Sequence, residues 1–391
     1  MPISALLLAA ALTTPAGVAV RFDRHHAETV VQEGAADRAS GRPATAVSPV
    51  RIASISKLVV ALGVMRLVDG GRLDLDRDVS DYLGWPLRNP AFPDTPITLR
   101  LLLSHRSSLT DDAGYVIPLG ESLRTRVADP RAWDKAHAPG SNWFHYTNLN
   151  FPVVATVMEK ATGVRFDLLM QRLVLRPLHL QACYNWSPCT VQDAARAVVL
   201  YRANGEIAKD DLHGTLPTCP VEVVPGGSCD LAAYRPGENG ALFSPQGGLR
   251  ISMADLARIG EVLARGGHGF ISPHAFAEMV RPYWRFDGTN GLGENGEGDG
   301  FFCAYGLAVQ TIGLGGKGCH DDLFGDGKVR IGHPGDAYGL KSGLWVDPAR
   351  GQGLAFFTTA VDDDAPKGHS AFTAREEAMV ARALPQPYPR P

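Results

Sequence analysis

The alternation of apolar and polar positions opens the chain with two strands. Residues 17–22 (GVAVRF) and 28–32 (ETVVQ) flank a polar turn from Asp23 to His26, the pattern of a hairpin pair. A loop with Gly41 and Pro43 follows. The pattern then predicts a helix over 54–68, closed by Gly70-Gly71. From Leu58 to Val68 that helix has almost no polar face. A helix that is apolar all round belongs in the centre of a domain. Its first turn nonetheless holds a serine and a lysine.

From about 80 to 290 the pattern is helical and rich in loops. Residues 152–161 and 166–174 read as helices, and Ser252 with Asp255 as a capping box that opens a helix to about residue 264. The Gly/Pro/Cys segment 203–243 is long for a plain connection, and such loops usually cover a site. Strand patterns return at 305–311, 328–332, 340–346 and 353–358, and Thr373 with Glu376 caps a last helix to about residue 384. Strands at both ends with helices between them predict an α/β (α+β) architecture. An antiparallel sheet built from both termini and flanked by helices would come from residues 17–80 and 295–391. A mainly helical domain with long loops, 81–294, would be inserted between them.

Composition narrows the partners. The chain has 391 residues and a net charge of -3, with Lys+Arg 38 against Asp+Glu 41. That leaves no basic surplus for a polyanion, so nucleic acid is not expected as a partner. No apolar run reaches about 18 residues, so no segment of the mature protein is expected to span a membrane. Residues 1–16 carry an apolar stretch from Ala5 to Leu12 followed by small residues, which resembles a secretory signal without its positive start; a retained N-terminal helix is the other reading. The six cysteines fall in three local pairs, Cys183 with Cys189, Cys219 with Cys229 and Cys303 with Cys319, each around a Gly/Pro loop. Three short bridged loops suit an oxidising compartment, so a periplasmic or secreted protein is expected; six unpaired thiols would speak against it. No CxxC occurs, and Cys319-His320-Asp321 lacks a partner at ligand spacing, so neither a metal nor a cofactor is expected. Oligomeric state is not legible.

Three short motifs carry chemistry. Ser54-Ile55-Ser56-Lys57 is an S-x-x-K in which three residues turn about 300°, so both side chains share a helix face. The amine can then reach the hydroxyl. Desolvation at a buried helix start favours the neutral amine, which can act as a base, and the helix N-terminus favours a developing oxyanion. By itself the pattern is common; what distinguishes it is its place at the head of the one all-apolar helix. Tyr146-Thr147-Asn148 offers a phenol to relay a proton and a carboxamide to hold a substrate amide, although a polar turn explains it equally well. His333-Pro334-Gly335 falls where a strand should run, and its glycine would admit a substrate backbone; a lone histidine there is more often structural. Trp143, Trp186, Trp284 and Trp345 read as core or as pocket walls. His25, His26 and His320 read as solvated, and Asp362-Asp363-Asp364 as a surface turn.

Taken together, Ser54-x-x-Lys57, Tyr146-x-Asn148 and His333-x-Gly335, in that order, resemble the serine β-lactamase and penicillin-recognising family, in particular class C β-lactamases, D,D-carboxypeptidases and their esterase relatives. Arg51-Ile52-Ala53 before the serine, Leu101 to His105, Arg176-Pro177-Leu178, the turn from Ser244 to Leu249, and Gly339 with Ser342 resemble further family segments. The resemblance spans about residues 17–380. It implies a β-lactamase-like fold, Ser54 as the acylated nucleophile, and Lys57 and Tyr146 sharing the proton, with either as the base. It also implies that Asn148 orients the substrate carbonyl, that His333 takes the third-motif position beside Gly335, and that the N–H groups of Ser54 and Asp336 form the oxyanion hole.

The third motif departs from the β-lactamase pattern, which has lysine and then Thr or Ser. With His333 and Pro334 a fixed cation is replaced by a group expected to titrate near neutrality, and a hydroxyl and a backbone donor are lost. This favours ester, amide or small-peptide substrates over efficient β-lactam hydrolysis; peptides with D-residues and linearised cyclic peptides such as linearised microcystin are within what relatives cut. The expected function is a serine hydrolase working through an acyl-enzyme. The alternatives are a β-lactamase or D,D-carboxypeptidase, and a non-catalytic binding or sensor protein of the same fold. A Ser-His-Asp hydrolase is disfavoured because no G-x-S-x-G occurs.

Overall fold

A computed structural model describes residues 14–293, 298 and 300–384. Residues 1–13, most of the candidate signal segment, lie outside the described residues. Ala16 is buried, and its carbonyl accepts the Thr359 N–H at 2.9 Å.

The elements that position the site are β1 (Gly17–Phe22), β2 (Ala27–Glu33), β3 (Val50–Arg51), α1 (Ile55–Asp69), α2 (Asn150–Thr162), β4 (Cys183–Tyr184), β5 (Leu249–Ile251) and α3 (Met253–Ala264). Towards the C-terminus follow β6 (Trp284–Arg285), β7 (Ala304–Tyr305), β8 (Gln310–Ile312), β9 (Arg330–Ala337), β10 (Leu340–Asp347), β11 (Gln352–Thr358) and α4 (Ala374–Ala383). An eight-stranded sheet runs β6-β7-β8-β9-β10-β11-β1-β2, with every neighbouring pair antiparallel. The sheet is thus built from both ends of the chain, as expected. A second, small sheet, β3-β5-β4, carries the approach to α1.

Period-two alternation sorts β1 between two helical layers. Val18, Val20 and Phe22 face the core that contains α3, whereas Ala19 faces Met379 and Val380 of α4. Phe22 fits because residue 260 of α3 is glycine: a Cβ there would stand 2.1 Å from the ring. Helix α1 packs on β9 and β10. Of its 15 residues all but Arg66, Val68 and Asp69 are buried. Each fully buried Leu or Val contributes about 1.5–3 kcal/mol, which is ample to hold a polar first turn inside the protein.

Several expectations need correction. The strand expected over 305–311 is two short strands joined by a tight turn, with Gly306 N–H bonded to Val309 O and Ala308 at φ 54°. β9 begins at Arg330 and runs to Ala337, so it takes in the whole third motif. Ser252 caps α3 by accepting the Asp255 N–H, but the Asp255 carboxylate reaches the Gln181 N–H at 3.2 Å in place of closing the box. The Thr373–Glu376 box does close on both sides. Helix α3 packs on β1 and β11, and β6 joins the sheet. The sheet layer therefore takes in residues before 295 that the sequence pattern assigned to the helical part. Trp186, Trp284 and Trp345 are core residues, while Trp143 stacks on His137 at 3.9 Å. The three cysteine pairs are disulfides as expected. His25, His26, His320 and residues 362–364 are exposed.

Candidate active site

The chain enters α1 through a strained residue. Ala53 has φ 48°, in the left-handed region that non-glycine residues avoid. Ser54 follows as the N-cap of α1, yet its side chain makes no capping bond. Serine is a favoured cap because its oxygen accepts a helix N–H. Here Oγ instead accepts from Lys57 Nζ at 2.8 Å, one turn on. The lysine is fully buried and also donates to Asn148 Oδ1 at 2.8 Å and Gln246 O at 3.1 Å. All three acceptors are neutral. Among the described residues the Ser54 N–H has no acceptor, as befits one of the orphan donors at a helix start.

Tyr146 is held by rings. It lies between His105, 4.4 Å away and stacked, and Phe302, 4.8 Å away and stacked. Lys57 Nζ stands 4.7 Å from its ring centroid. His105 also fixes the backbone on either side. Its carbonyl accepts the His145 N–H at 3.0 Å, and its Nδ1 accepts the Thr147 N–H at 2.9 Å. Burial and the Lys57 charge hold the His105 pKa well below the usual histidine range, so it stays a neutral acceptor.

Asn148 is equally constrained. Its amide and backbone N–H both donate to Asp111 Oδ2, at 3.0 and 2.9 Å, and the next residue donates to Oδ1 at 2.8 Å. Asp111 thereby turns the Asn148 carbonyl onto Lys57.

The third motif occupies an open strand edge. β8 pairs with β9 only over Arg330–Gly332, so the edge beyond residue 332 is not covered by β8. Pro334 has no N–H and is tolerated only where its nitrogen faces away from the ladder. Backbone directions alternate along a strand, so the Asp336 N–H, two residues on, points out from the same uncovered edge. The Asp336 side chain forms an ion pair with Lys341, its cross-strand partner. A Cβ on Gly335 would stand 2.3 Å from Ile52 O. The glycine that was expected to admit a substrate backbone therefore admits the chain's own segment at Ile52.

Two cavities meet at Ser54. One, of about 640 Å³, is lined by Arg51, Asn148, Gln246 and the 209–222 segment. The other, of about 820 Å³, is lined by Tyr146, Phe302, Pro334, Gly335 and Lys341. Ser54, Asp336, Ala337 and Asp363 line both. A serine hydroxyl bonded to a buried amine, with a phenol and an uncovered strand edge lining the same cavity, is a set of groups that an acyl transfer can use.

The β-lactamase family model matches residues 12–378. The chain belongs to the β-lactamase family. Among curated relatives, the esterase EstB of Burkholderia gladioli is 30% identical over 288 residues, which are 67% of this chain and 69% of EstB. The D-alanyl-D-alanine-carboxypeptidase/endopeptidase AmpH of Escherichia coli K12 is 32% identical over 150 residues, 36% of this chain and 38% of AmpH. Among solved structures, the octameric penicillin-binding protein homologue from Pyrococcus abyssi superposes with a TM-score of 0.65 at 20% identity, covering 98% of this chain and 76% of that one. This β-lactamase-family chain is a hydrolase of the serine type.

Within that family frame, one expected site residue behaves differently. His333 is fully buried, and its side chain lines neither cavity. Nδ1–H donates to Pro334 O at 2.6 Å, and the Tyr305 hydroxyl donates to Nε2 at 2.7 Å. Burial, and then the Lys57 charge, lower its pKa to about 3. It does not titrate near neutrality, and of this motif only its neighbours Pro334 and Gly335 line a cavity. Hence no limb of the pH–rate profile between 5 and 9 belongs to His333. His333→Asn is expected to leave the apparent pKa values of kcat/KM where they are in the wild type, whatever it does to the rate. A limb near 6–7 that disappears in His333→Asn would show the histidine titrating after all.

His105, Asp111 and Tyr305 were not singled out as site residues from the sequence. His105 ends a stretch that resembles the family, but nothing in that stretch shows that its ring clamps Tyr146. Asp111 and Tyr305 lie in no motif.

Proposed function

We propose that this hydrolase cleaves ester, amide or small-peptide substrates through an acyl-enzyme on Ser54. The observation that carries the reading is the 2.8 Å contact between Lys57 Nζ and Ser54 Oγ where two cavities join. Ser54 Oγ attacks the substrate carbonyl carbon, its proton passing to the Lys57–Tyr146 pair. The oxyanion that forms is received by the N–H groups of Ser54 and Asp336. As the tetrahedral carbon collapses, the bond to the leaving oxygen or nitrogen breaks and the pair returns the proton to that atom. Water then adds to the Ser54 ester along the reverse proton route and releases the acid and the free serine. Asn148 positions both Lys57 and the acyl carbonyl. Three disulfides and the composition of residues 1–16 support a periplasmic or secreted location.

The test is intact mass after incubation with a p-nitrophenyl ester, a D-amino-acid amide and a chromogenic cephalosporin, read alongside turnover. A transient acyl adduct with release of product from the ester or amide is the expected result. Faster turnover of the cephalosporin would favour the alternative of a β-lactamase or D,D-carboxypeptidase, the second of which is the printed activity of AmpH. An adduct that persists without turnover would mark a sensor.

A further inference from the structure

The cavity of about 640 Å³ has a charge imbalance at its floor. Arg51 of β3 and Arg250 of β5 are cross-strand partners in register, and like charges directly opposite destabilise a strand pair. Arg250 is accounted for. It donates to Asp210 through Nε at 3.2 Å and Nη2 at 2.8 Å, and to Asn185 Oδ1 and Gly248 O through Nη1. Asp210 is completed by Trp186 Nε1 at 2.9 Å. Arg51 has no such partner. It is 8% exposed, its Nε has no hydrogen bond, and among the described residues no carboxylate pairs with it. The face of Tyr338 lies 5.1 Å from the guanidinium carbon, and Asp210 and Tyr115 attract it without a hydrogen bond. Burial, then Arg250, bring its pKa down to about 10, so the cation persists at neutral pH.

The floor therefore holds two buried cations against one carboxylate. An uncompensated buried charge is strongly destabilising, and an anionic ligand in the cavity would supply the missing partner. None of the remaining carboxylates on this cavity pairs with Arg51 among the described residues: Asp336 is taken by Lys341, half-buried Asp211 lies 3.3 Å from His213, and Glu222 and Asp363 are exposed at the mouth. The guanidinium is also close to the chemistry. Nη2 lies 3.8 Å from the point where a Cβ on Gly247 would stand, and that same point is 3.8 Å from Ala53 Cα, beside the nucleophile.

Direction follows from the proton. Tyr146, one of the pair that returns the proton to the departing atom, lines the other cavity and not this one. The leaving group thus exits on the Tyr146 side, and the acyl part rests over Arg51. We propose that Arg51 is a specificity-determining residue that binds a carboxylate on the acyl portion of the substrate, so that the preferred substrates are half-esters or half-amides of dicarboxylic acids or acyl groups with an equivalent anion. This rests on the acyl-enzyme reading above and adds the substrate class to it. The third motif offers no free cation, because His333 is neutral and Lys341 is paired; Arg51 takes anion recognition to the opposite side of the serine.

The test compares p-nitrophenyl hydrogen glutarate with its neutral analogue, p-nitrophenyl methyl glutarate. A hydrogen-bonded charge contributes enough for a preference of about ten-fold or more in kcat/KM. In Arg51→Met that ratio is expected to fall to near one, and in Arg51→Lys to recover in part. 3-Acetoxybenzoate against phenyl acetate places the anion on the leaving group and is expected to show no such preference. A wild-type ratio of one or below, or an unchanged ratio in folded Arg51→Met, overturns the proposal; an equal preference for the anionic leaving group overturns its direction. Calorimetric binding of glutarate against glutaramide to the wild type needs neither turnover nor a folded variant. If no ester is turned over but glutarate alone binds, the hydrolase reading fails and the anion subsite stands; if both diacid and diamide bind alike, the subsite fails.

Discussion

Ser54→Ala is expected to lower kcat by at least about 10⁴-fold on any substrate the wild type turns over, because the atom that forms the acyl bond is gone. The rest of the site would persist, and residual catalysis would come from the oxyanion donors and binding alone. Stability should barely change. The Ser54 hydroxyl does not cap α1, so the helix loses nothing at its start. Only the bond from Lys57 is lost, worth about 1 kcal/mol, and Lys57 keeps Asn148 Oδ1 and Gln246 O. The decisive pair of measurements is the melting temperature beside the mass shift with a fluorophosphonate. An unchanged melting temperature with no adduct is the expected outcome. Adduct formation at wild-type rate in Ser54→Ala would place the nucleophile elsewhere.

Much of this arrangement was legible before the fold was known, for an identifiable physical reason. Ser54 and Lys57 sit on one helix, and helix geometry alone brings positions three apart together. The same locality made the disulfides readable, since each closes a loop of 6 to 16 residues. β1, β2, β10, β11 and α4 announced themselves by period and by caps. What stayed hidden depends on contacts distant in sequence. The ring of His105 meets Tyr146 41 positions on, and Tyr305 meets His333 28 residues away. No local pattern could show that the third-motif histidine turns inward onto Tyr305. A strand places alternate side chains on opposite faces, and the sequence does not say which face looks into a cavity. Arg51 illustrates the same point. Adjacent to the nucleophile segment, it looked like part of a family signature; its lack of a partner emerges only once Arg250, 199 positions away, is seen to hold the nearest carboxylate.

Lys57→Ala should be nearly as damaging to catalysis as loss of the serine, about 10³-fold or more in kcat, but with a second consequence that Ser54→Ala lacks. The amine fills the space between Ser54 Oγ, Asn148 Oδ1 and Gln246 O. Its removal leaves buried acceptors without a donor, which costs about 1–3 kcal/mol for each group left unsatisfied, so the melting temperature should fall measurably. The catalytic and structural losses can be separated. The alanine variant leaves room for a small primary amine beside Ser54, and added ethylamine should restore part of the acylation rate in proportion to its concentration. The same amine should do nothing for Ser54→Ala. Tyr146→Phe gives the complementary reading: the ring keeps its place between His105 and Phe302, so the fold should hold while kcat falls. If Lys57→Ala, still folded, is phosphonylated on Ser54 by the fluorophosphonate at the wild-type rate and ignores ethylamine, the lysine is a structural donor alone and the proton is handled by Tyr146 without it. If ethylamine rescues acylation and Tyr146→Phe slows mainly the loss of the leaving group, the lysine takes the proton and the phenol delivers it.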